Sequence, residues 1–259
     1  MQVYDCGKPD VNRAADFFSE YAVELFGSGC TCIRLEKNIQ RIASSLGMNV
    51  EFSVLPRHIH LTVGNGTECT TRVVRIRELP ISFARITDLS RLSWEIADGK
   101  IPFDEAYDIM PRVFRSPSVQ PRLLALYVAV ANAAFCRLFS GDIIAMCAVF
   151  VATYLGFRLK QILTSQHVNF KLTVLICAFV SSVITALSGL SGFGATPQIA
   201  VATSVLYLVP GIPFINSFCD FLDAHYLCAF GRLMHALIIL CCLSLGLLAG
   251  MLLMNLSMF

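Results

Sequence analysis

Between Lys171 and Asp220 the chain runs for 48 residues without a charged side chain, and no other feature limits its fold as strongly. A membrane-crossing helix takes about 20 residues, so this run divides into two spans. The segment from Ser188 to Pro197, SGLSGFGATP, supplies the turn between Leu172–Leu187 and Gln198–Val209. Three more apolar segments flank them: one enclosed by Arg122 and Arg137, one by Asp142 and Arg158, and one from Leu227 to Phe259. The first two are short, which places Arg122, Arg137 and Arg158 at interfaces, where their long stems let the charge reach water.

Composition agrees with five spans. The chain is 56% hydrophobic and 15% charged, with a mean hydropathy of +0.66, too apolar for an ordinary soluble protein. Charge is also segregated: the first 120 residues hold 14 of the 20 Lys and Arg and 15 of the 18 Asp and Glu. The expected division is therefore a domain over 1–118 and a five-span membrane domain over 119–259. The first domain carries one net negative charge, which gives no basic field for nucleic acid.

The start, MQVYDCGKPD, lacks the basic and apolar regions of a secretory signal, which predicts a cytoplasmic N-terminus. Five crossings then put Arg112, Arg115, Arg122, Arg158, Lys160, Lys171 and Arg232 on the cytoplasmic side, with Arg137 alone opposite and the C-terminus outside. The alternative is four crossings, with the short fourth segment re-entering. The cysteines are expected as thiols, and Cys30 with Cys32, a C-x-C without a second pair, predicts no metal site.

Within 1–118, apolar spacing predicts a helix over Val11 to Phe26 stopped by Gly27-Ser28-Gly29, and a second with Ile33, Ile39, Ile42, Ala43 and Leu46 on its buried stripe. Strands follow at Asn49–Leu55, Arg57–Val63 and Thr70–Ile76, then helices at Phe83–Ala97 and Phe103–Phe114. His58 and His60 fall on one strand face as ordinary sheet surface. No phosphate loop, nucleophile elbow or Ser/His/Asp set appears, so no catalytic residue, enzyme activity, metal or cofactor is predicted. The fold class is thus a membrane protein: an α-helical multi-pass bundle of five spans with an N-terminal cytoplasmic α+β domain, in the order α-α-β-β-β-α-α.

The chemistry gathers in Leu208 to Asp223, LVPGIPFINSFCDFLD. Pro210 and Pro213 remove backbone donors and Gly211 frees the backbone, so the helix is expected to break twice there and leave carbonyls unpaired. In hydrocarbon such groups are tolerated only where protein or trapped water satisfies them. Asn216, Asp220 and Asp223 share a face if a helix resumes, with Ser217 beside them. Broken helices next to polar groups are what transporters use to hold solutes. The bland reading is a Pro-terminated helix followed by a solvated loop. Further on, Gly246-x-x-x-Gly250 offers a close-packing face, and with the odd span count it predicts a partner helix from a companion chain or a second copy.

The run V-P-G-I-P-F-I-N-S, followed by D-F-L-D and by Gly231-Arg232, resembles the membrane motif of the threonine/serine exporter (ThrE) family. Weaker matches lie at Leu35-Glu36, Ile42-Ala43 with Leu46-Gly47, Thr71-Val73-Arg75, Glu105-Ala106 and Phe139-Ser140-Gly141-Asp142. Members occur as one long chain or as a larger and a smaller chain, and this sequence is similar to the larger chain of the split form. The resemblance implies a secondary exporter subunit in a bacterial cytoplasmic membrane, partnered by a small membrane-embedded companion subunit or a homo-oligomer, and in contact with lipid. It implies a solute path through Pro210, Gly211, Pro213, Asn216, Ser217, Asp220, Asp223 and Arg232. The solute is threonine or serine in long members and a succinate-like dicarboxylate in split ones, with Asp220 or Asp223 as binder of an ammonium or as proton carrier. A membrane sensor whose cytoplasmic domain binds a ligand is the rival reading.

Overall fold

The computed structural model describes residues 9–77, 79–114, 120–190 and 196–254. They form two compact units, Met1–Pro117 with Ile212–Met234, and Ser118–Gly211 with His235–Phe259. Ile212–Met234, expected in the membrane domain, therefore groups with the N-terminal part.

In the first unit, helix α1 (Val11–Gly27) starts where Asp10 accepts a hydrogen bond from the Arg13 N–H and ends at Gly29, whose φ of 96° favours glycine. It buries Phe17, Phe18, Tyr21 and Leu25 completely. Helix α2 (Cys32–Ser45) buries Leu35, Ile39 and Ile42 and is closed by Gly47 in the left-handed region. Strands β1 (Asn49–Val54), β2 (His58–Gly64) and β3 (Cys69–Arg75) make an antiparallel sheet with β2 central. Alternation along β2 turns Ile59, Leu61 and Val63 into the core and leaves His58 and His60 exposed. Asn65 builds the β2–β3 turn, its Oδ1 accepting from the N–H groups of Thr67 and Glu68. Helix α3 (Phe83–Ala97), capped by Ser82, and α4 (Phe103–Val113), with Asp104 and Glu105 in its first turn, complete the core. The element order matches the expectation, because each element carries its own period and stop signal.

The second unit is built from α5 (Pro121–Leu138), α6 (Ile143–Ser165), α7 (Phe170–Leu190), α8 (Pro197–Ser204) and most of α10 (Tyr226–Leu253). A 3-10 turn (Leu206–Leu208) follows α8, and α9 (Gly211–Leu222) leads into α10. Helices α5, α6, α7 and α10 are long and apolar enough to cross a membrane, and the bent pair Pro197–Leu208 with Gly211–Leu222 makes a fifth if it counts as one span. Asp142 caps α6, accepting from the Ala145 N–H at 2.8 Å. Helix α7 runs to Leu190, past Ser188, where a turn was expected. Ser191 to Ala195 of that turn and the last five residues of the fifth expected span lie outside the described residues.

Gly246 and Gly250 pack against α7 of their own chain. A Cβ at Gly246 would strike the Leu175 carbonyl oxygen and Ala178, and one at Gly250 would strike Ser182 and the Phe179 carbonyl. This corrects the expectation that the G-x-x-x-G face waits for a partner: close approach is needed, but α7 satisfies it.

Candidate functional site: the broken span and its buried ion pair

The break in the fourth apolar segment is single. After α8 the chain tightens into the 3-10 turn, with Leu208 N–H bonding Val205 O at 2.9 Å and Val209 N–H bonding Leu206 O at 3.1 Å, and α9 begins directly after Pro210. Pro213, expected to break the helix a second time, is the third residue of α9. There no N–H has an intrahelical acceptor, so proline is tolerated. Gly211 is not in the left-handed region, and a Cβ there would meet nothing within 4 Å. Its glycine is therefore not demanded by strain or crowding.

Helix α9 turns its polar stripe into the first unit. Asn216 Nδ2 donates to Gly29 O at 2.7 Å, and Ser217 Oγ donates to Ala229 O at 2.7 Å. Asp220 is wholly buried. Its Oδ1 accepts from the Cys32 N–H at 2.7 Å, and its Oδ2 accepts from Arg232 Nη1 at 2.8 Å. Cys32 is the first residue of α2, whose own N-cap, Thr31, makes no side-chain cap bond. Asp220 thus caps α2 from 188 residues away in sequence, where the helix dipole also favours a negative charge. Arg232 completes the clasp: Nη2 donates to Cys30 O at 2.7 Å, and its guanidinium lies 4.3 Å from the centre of the Phe26 ring.

Asp223 does not join this face. Helix α9 ends at Leu222, Ala224 takes a φ of 63°, and Asp223 is left exposed at the turn. Periodicity placed it with Asn216 and Asp220, but the helix stops one residue before the pattern could be realised.

Two thiols also reach the clasp. Cys32, Cys228 and Asp220 are buried with their ligand atoms within 4.8 Å of one another, and Cys228 Sγ donates to Asp220 Oδ2 at 3.8 Å. Two sulfurs and a carboxylate suit a soft cation. Here, however, both carboxylate oxygens already accept strong donors, and a guanidinium sits where it repels added positive charge. The hydrogen bond Cys32 gives to Cys228, together with burial, holds its thiol far above the ordinary range, and burial pushes Cys30 up to about 12. A thiol kept protonated is a poor ligand, which counts against Cys32 in this cluster. Sequence spacing suggested Cys30 with Cys32 as the pair, whereas the fold brings Cys228 to Cys32.

The second unit holds a neutral polar set that the sequence reading did not single out. Asn132 Nδ2 donates to Thr153 Oγ1 at 2.7 Å and to Thr203 O at 3.0 Å, beside the end of α8. Ser181 and Tyr207 hydroxyls lie 2.9 Å apart, close to Gly156. The available signal was Asn132 itself, an amide in the middle of an apolar helix.

The family described as "Putative threonine/serine exporter" (ThrE) matches residues 16–254. A "Probable succinate transporter subunit YjjP" of Klebsiella aerogenes is 29% identical over 207 residues, covering 79% of this chain and 80% of that protein. Its Escherichia coli (strain K12) namesake is 28% identical, covering 78% and 79%. A "Probable threonine/serine exporter" of Mycobacterium tuberculosis is 25% identical over 92% of this chain but only 46% of its own length. No solved structure matches. With the family's match running over nearly the whole chain, this protein belongs to the threonine/serine exporter (ThrE) family.

Proposed function

We propose that this chain is the larger subunit of a secondary exporter of small carboxylate-bearing metabolites, working in a bacterial inner membrane with a membrane-embedded companion. The observation that carries this reading is the proline-interrupted segment: within the second unit Asn132 is bonded to Thr153 and to Thr203 ahead of the break, and within the first unit the residues that follow it in sequence include Asn216, Ser217, Asp220 and Arg232, each hydrogen-bonded. In hydrocarbon, polar groups and an interrupted backbone are tolerated only where protein or trapped water satisfies them, and such places are where transporters hold solutes. Coverage of about 80% of two proteins named as succinate transporter subunits favours the two-chain form and a succinate-like dicarboxylate. Threonine or serine is the second reading, supported by the family description.

In this mechanism residues 1–118 face the cytoplasm, five crossings put the C-terminus outside, and Asp220 with Arg232 forms the charged element of the path. Opening the pair frees a guanidinium for a solute carboxylate and lets Asp220 take up a proton as the charge it faced moves away. Asn216 and Ser217 contribute neutral donors.

The test is flux in vesicles holding this chain and its companion, loaded with labelled succinate, threonine or serine. Succinate efflux driven by a proton gradient is expected. Asn132→Leu should reduce it at near-normal protein amount, and Asp220→Asn should abolish driven efflux while leaving solute exchange. Absence of flux for all three solutes would exclude the reading. A C-terminal reporter active only in the cytoplasm would replace five crossings by four.

A further inference from the structure

A cavity of about 950 Å³ opens in the first unit between α1, the β3 edge of the sheet and the end of α4. This is large enough for a small metabolite. Nothing in the transport mechanism uses it. Three arginines reach it: Arg57 from the β1–β2 turn, Arg75 from the last position of β3, and Arg77 just beyond. They converge because Ile76 N–H bonds Arg57 O at 2.9 Å, fixing the turn beside the end of β3. Arg57 and Arg75 are exposed, and no acidic partner within 4.0 Å is found for either among the described residues. Arg77 lies 3.8 Å from Glu24, a carboxylate that Arg85 also approaches at 3.9 Å.

A second feature points the same way. Ser19 lines the cavity and is 5% exposed, yet its Oγ has no hydrogen-bond partner among the described residues. Buried hydroxyls are normally paired, since an unpaired one loses its hydration without return. In a helix a serine can bond the carbonyl one turn back, but this one does not. Val23, Val74 and Ile76 contribute apolar surface to the same lining.

We propose that this cavity is a binding site for a short dicarboxylate, a ligand site separate from the transport path. Arg57 and Arg75 would each take a carboxylate in charge-assisted hydrogen bonds. Ser19 Oγ would donate to one carboxylate, and the short carbon chain would lie on the valine and isoleucine wall. Inorganic phosphate offers the same charge but no apolar body for that wall. An amino acid would have to place its ammonium at Glu20, on the exposed rim, because Glu24 already faces two arginines. Glu20 is the acidic group left at the rim, where it weakens anion binding by repulsion.

The test is calorimetric titration of the purified full chain in detergent, where no transport occurs, with succinate, inorganic phosphate or threonine as probe. Succinate should bind, and Arg57→Gln/Arg75→Gln should weaken it about tenfold or more. Ser19→Ala should weaken it less, and Glu20→Gln should tighten it, each variant keeping the wild-type unfolding temperature. Asn132→Leu, which lies in the proposed transport path, should leave this binding intact. Succinate binding lost in Asn132→Leu but kept in the double arginine variant would assign the signal to the transport path and overturn the proposal. Stronger binding of phosphate or threonine, or no binding at all, would overturn it as well, whatever the flux experiments give.

Discussion

The two units solve the packing problem with opposite kinds of side chain. The core of the first is large and aromatic, with Phe17, Phe18, Tyr21, Leu25, Leu35 and Ile39 fully buried. In the second, the fully buried positions are mostly small or hydroxylated, including Ala125, Ala129, Ala152, Ala178, Ser181 and Thr185, while Leu138, Ile143 and Leu252 are at least 70% exposed. The first unit is assembled by expelling water from bulky apolar surface. Between membrane helices that drive is missing, because lipid tails are as apolar as leucine, so small residues allow close backbone contact and large ones face outward. Gly246 and Gly250 against α7 are the extreme case.

The contrast breaks most visibly at the ion pair, where Asp220 is a wholly buried carboxylate. Arg232→Met leaves the Asp220 carboxylate buried without its partner and should remove about 3–5 kcal/mol of stability, measured by unfolding in detergent. Asp220→Leu combined with Arg232→Met should recover much of it. If the single variant unfolds like wild type, the pair is solvated and the clasp does not hold α2.

Reversed size changes sharpen the comparison next. Phe17→Ala should destabilise the first unit by about 3–5 kcal/mol through cavity formation. In the second unit enlargement is the harmful direction: Gly250→Leu should cost about 1–3 kcal/mol or more, since backbone as well as Ser182 must move. Equal tolerance of both changes, read from folded yield and unfolding temperature, would erase the distinction.

Alkali should act on the first unit at smaller scale. Cys30 rises by burial from an ordinary 9.0 to about 12, so the folded state keeps a proton that the unfolded state has lost. The contribution is intact below pH 9.0 and is lost as pH climbs towards 12, by about 1.4 kcal/mol per pH unit. Cys30→Ala should flatten that slope; an unchanged slope would place the thiol in contact with water.

The last test changes no stability. Cys69, Cys147 and Cys241 are all exposed, but in intact membranes a charged maleimide should label Cys69 and spare the other two. Dissolving the lipid should expose both, with sites read by peptide mass. Rapid labelling of Cys147 or Cys241 in membranes would deny α6 or α10 its lipid face.

Local pattern was enough for much of this molecule. The period of two in β2, the helical stripes of α1 and α3, the stop at Gly27-Ser28-Gly29 and the uncharged run after Lys171 each act within a few residues of themselves, so their consequences can be read without the fold. The proline break, and Asn216, Ser217, Asp220 and Arg232 as the polar groups that follow it, were also legible. Their partners were not. That Asp220 caps α2, that Arg232 holds the Cys30 carbonyl, that Cys228 meets Cys32 and that Gly246 meets α7 are pairings across up to 202 residues. Such pairings depend on how whole elements pack, and side-chain spacing within one element carries no information about them. The same holds for Asp223, which shares the sequence period of its neighbours but loses their environment because the helix ends at Leu222.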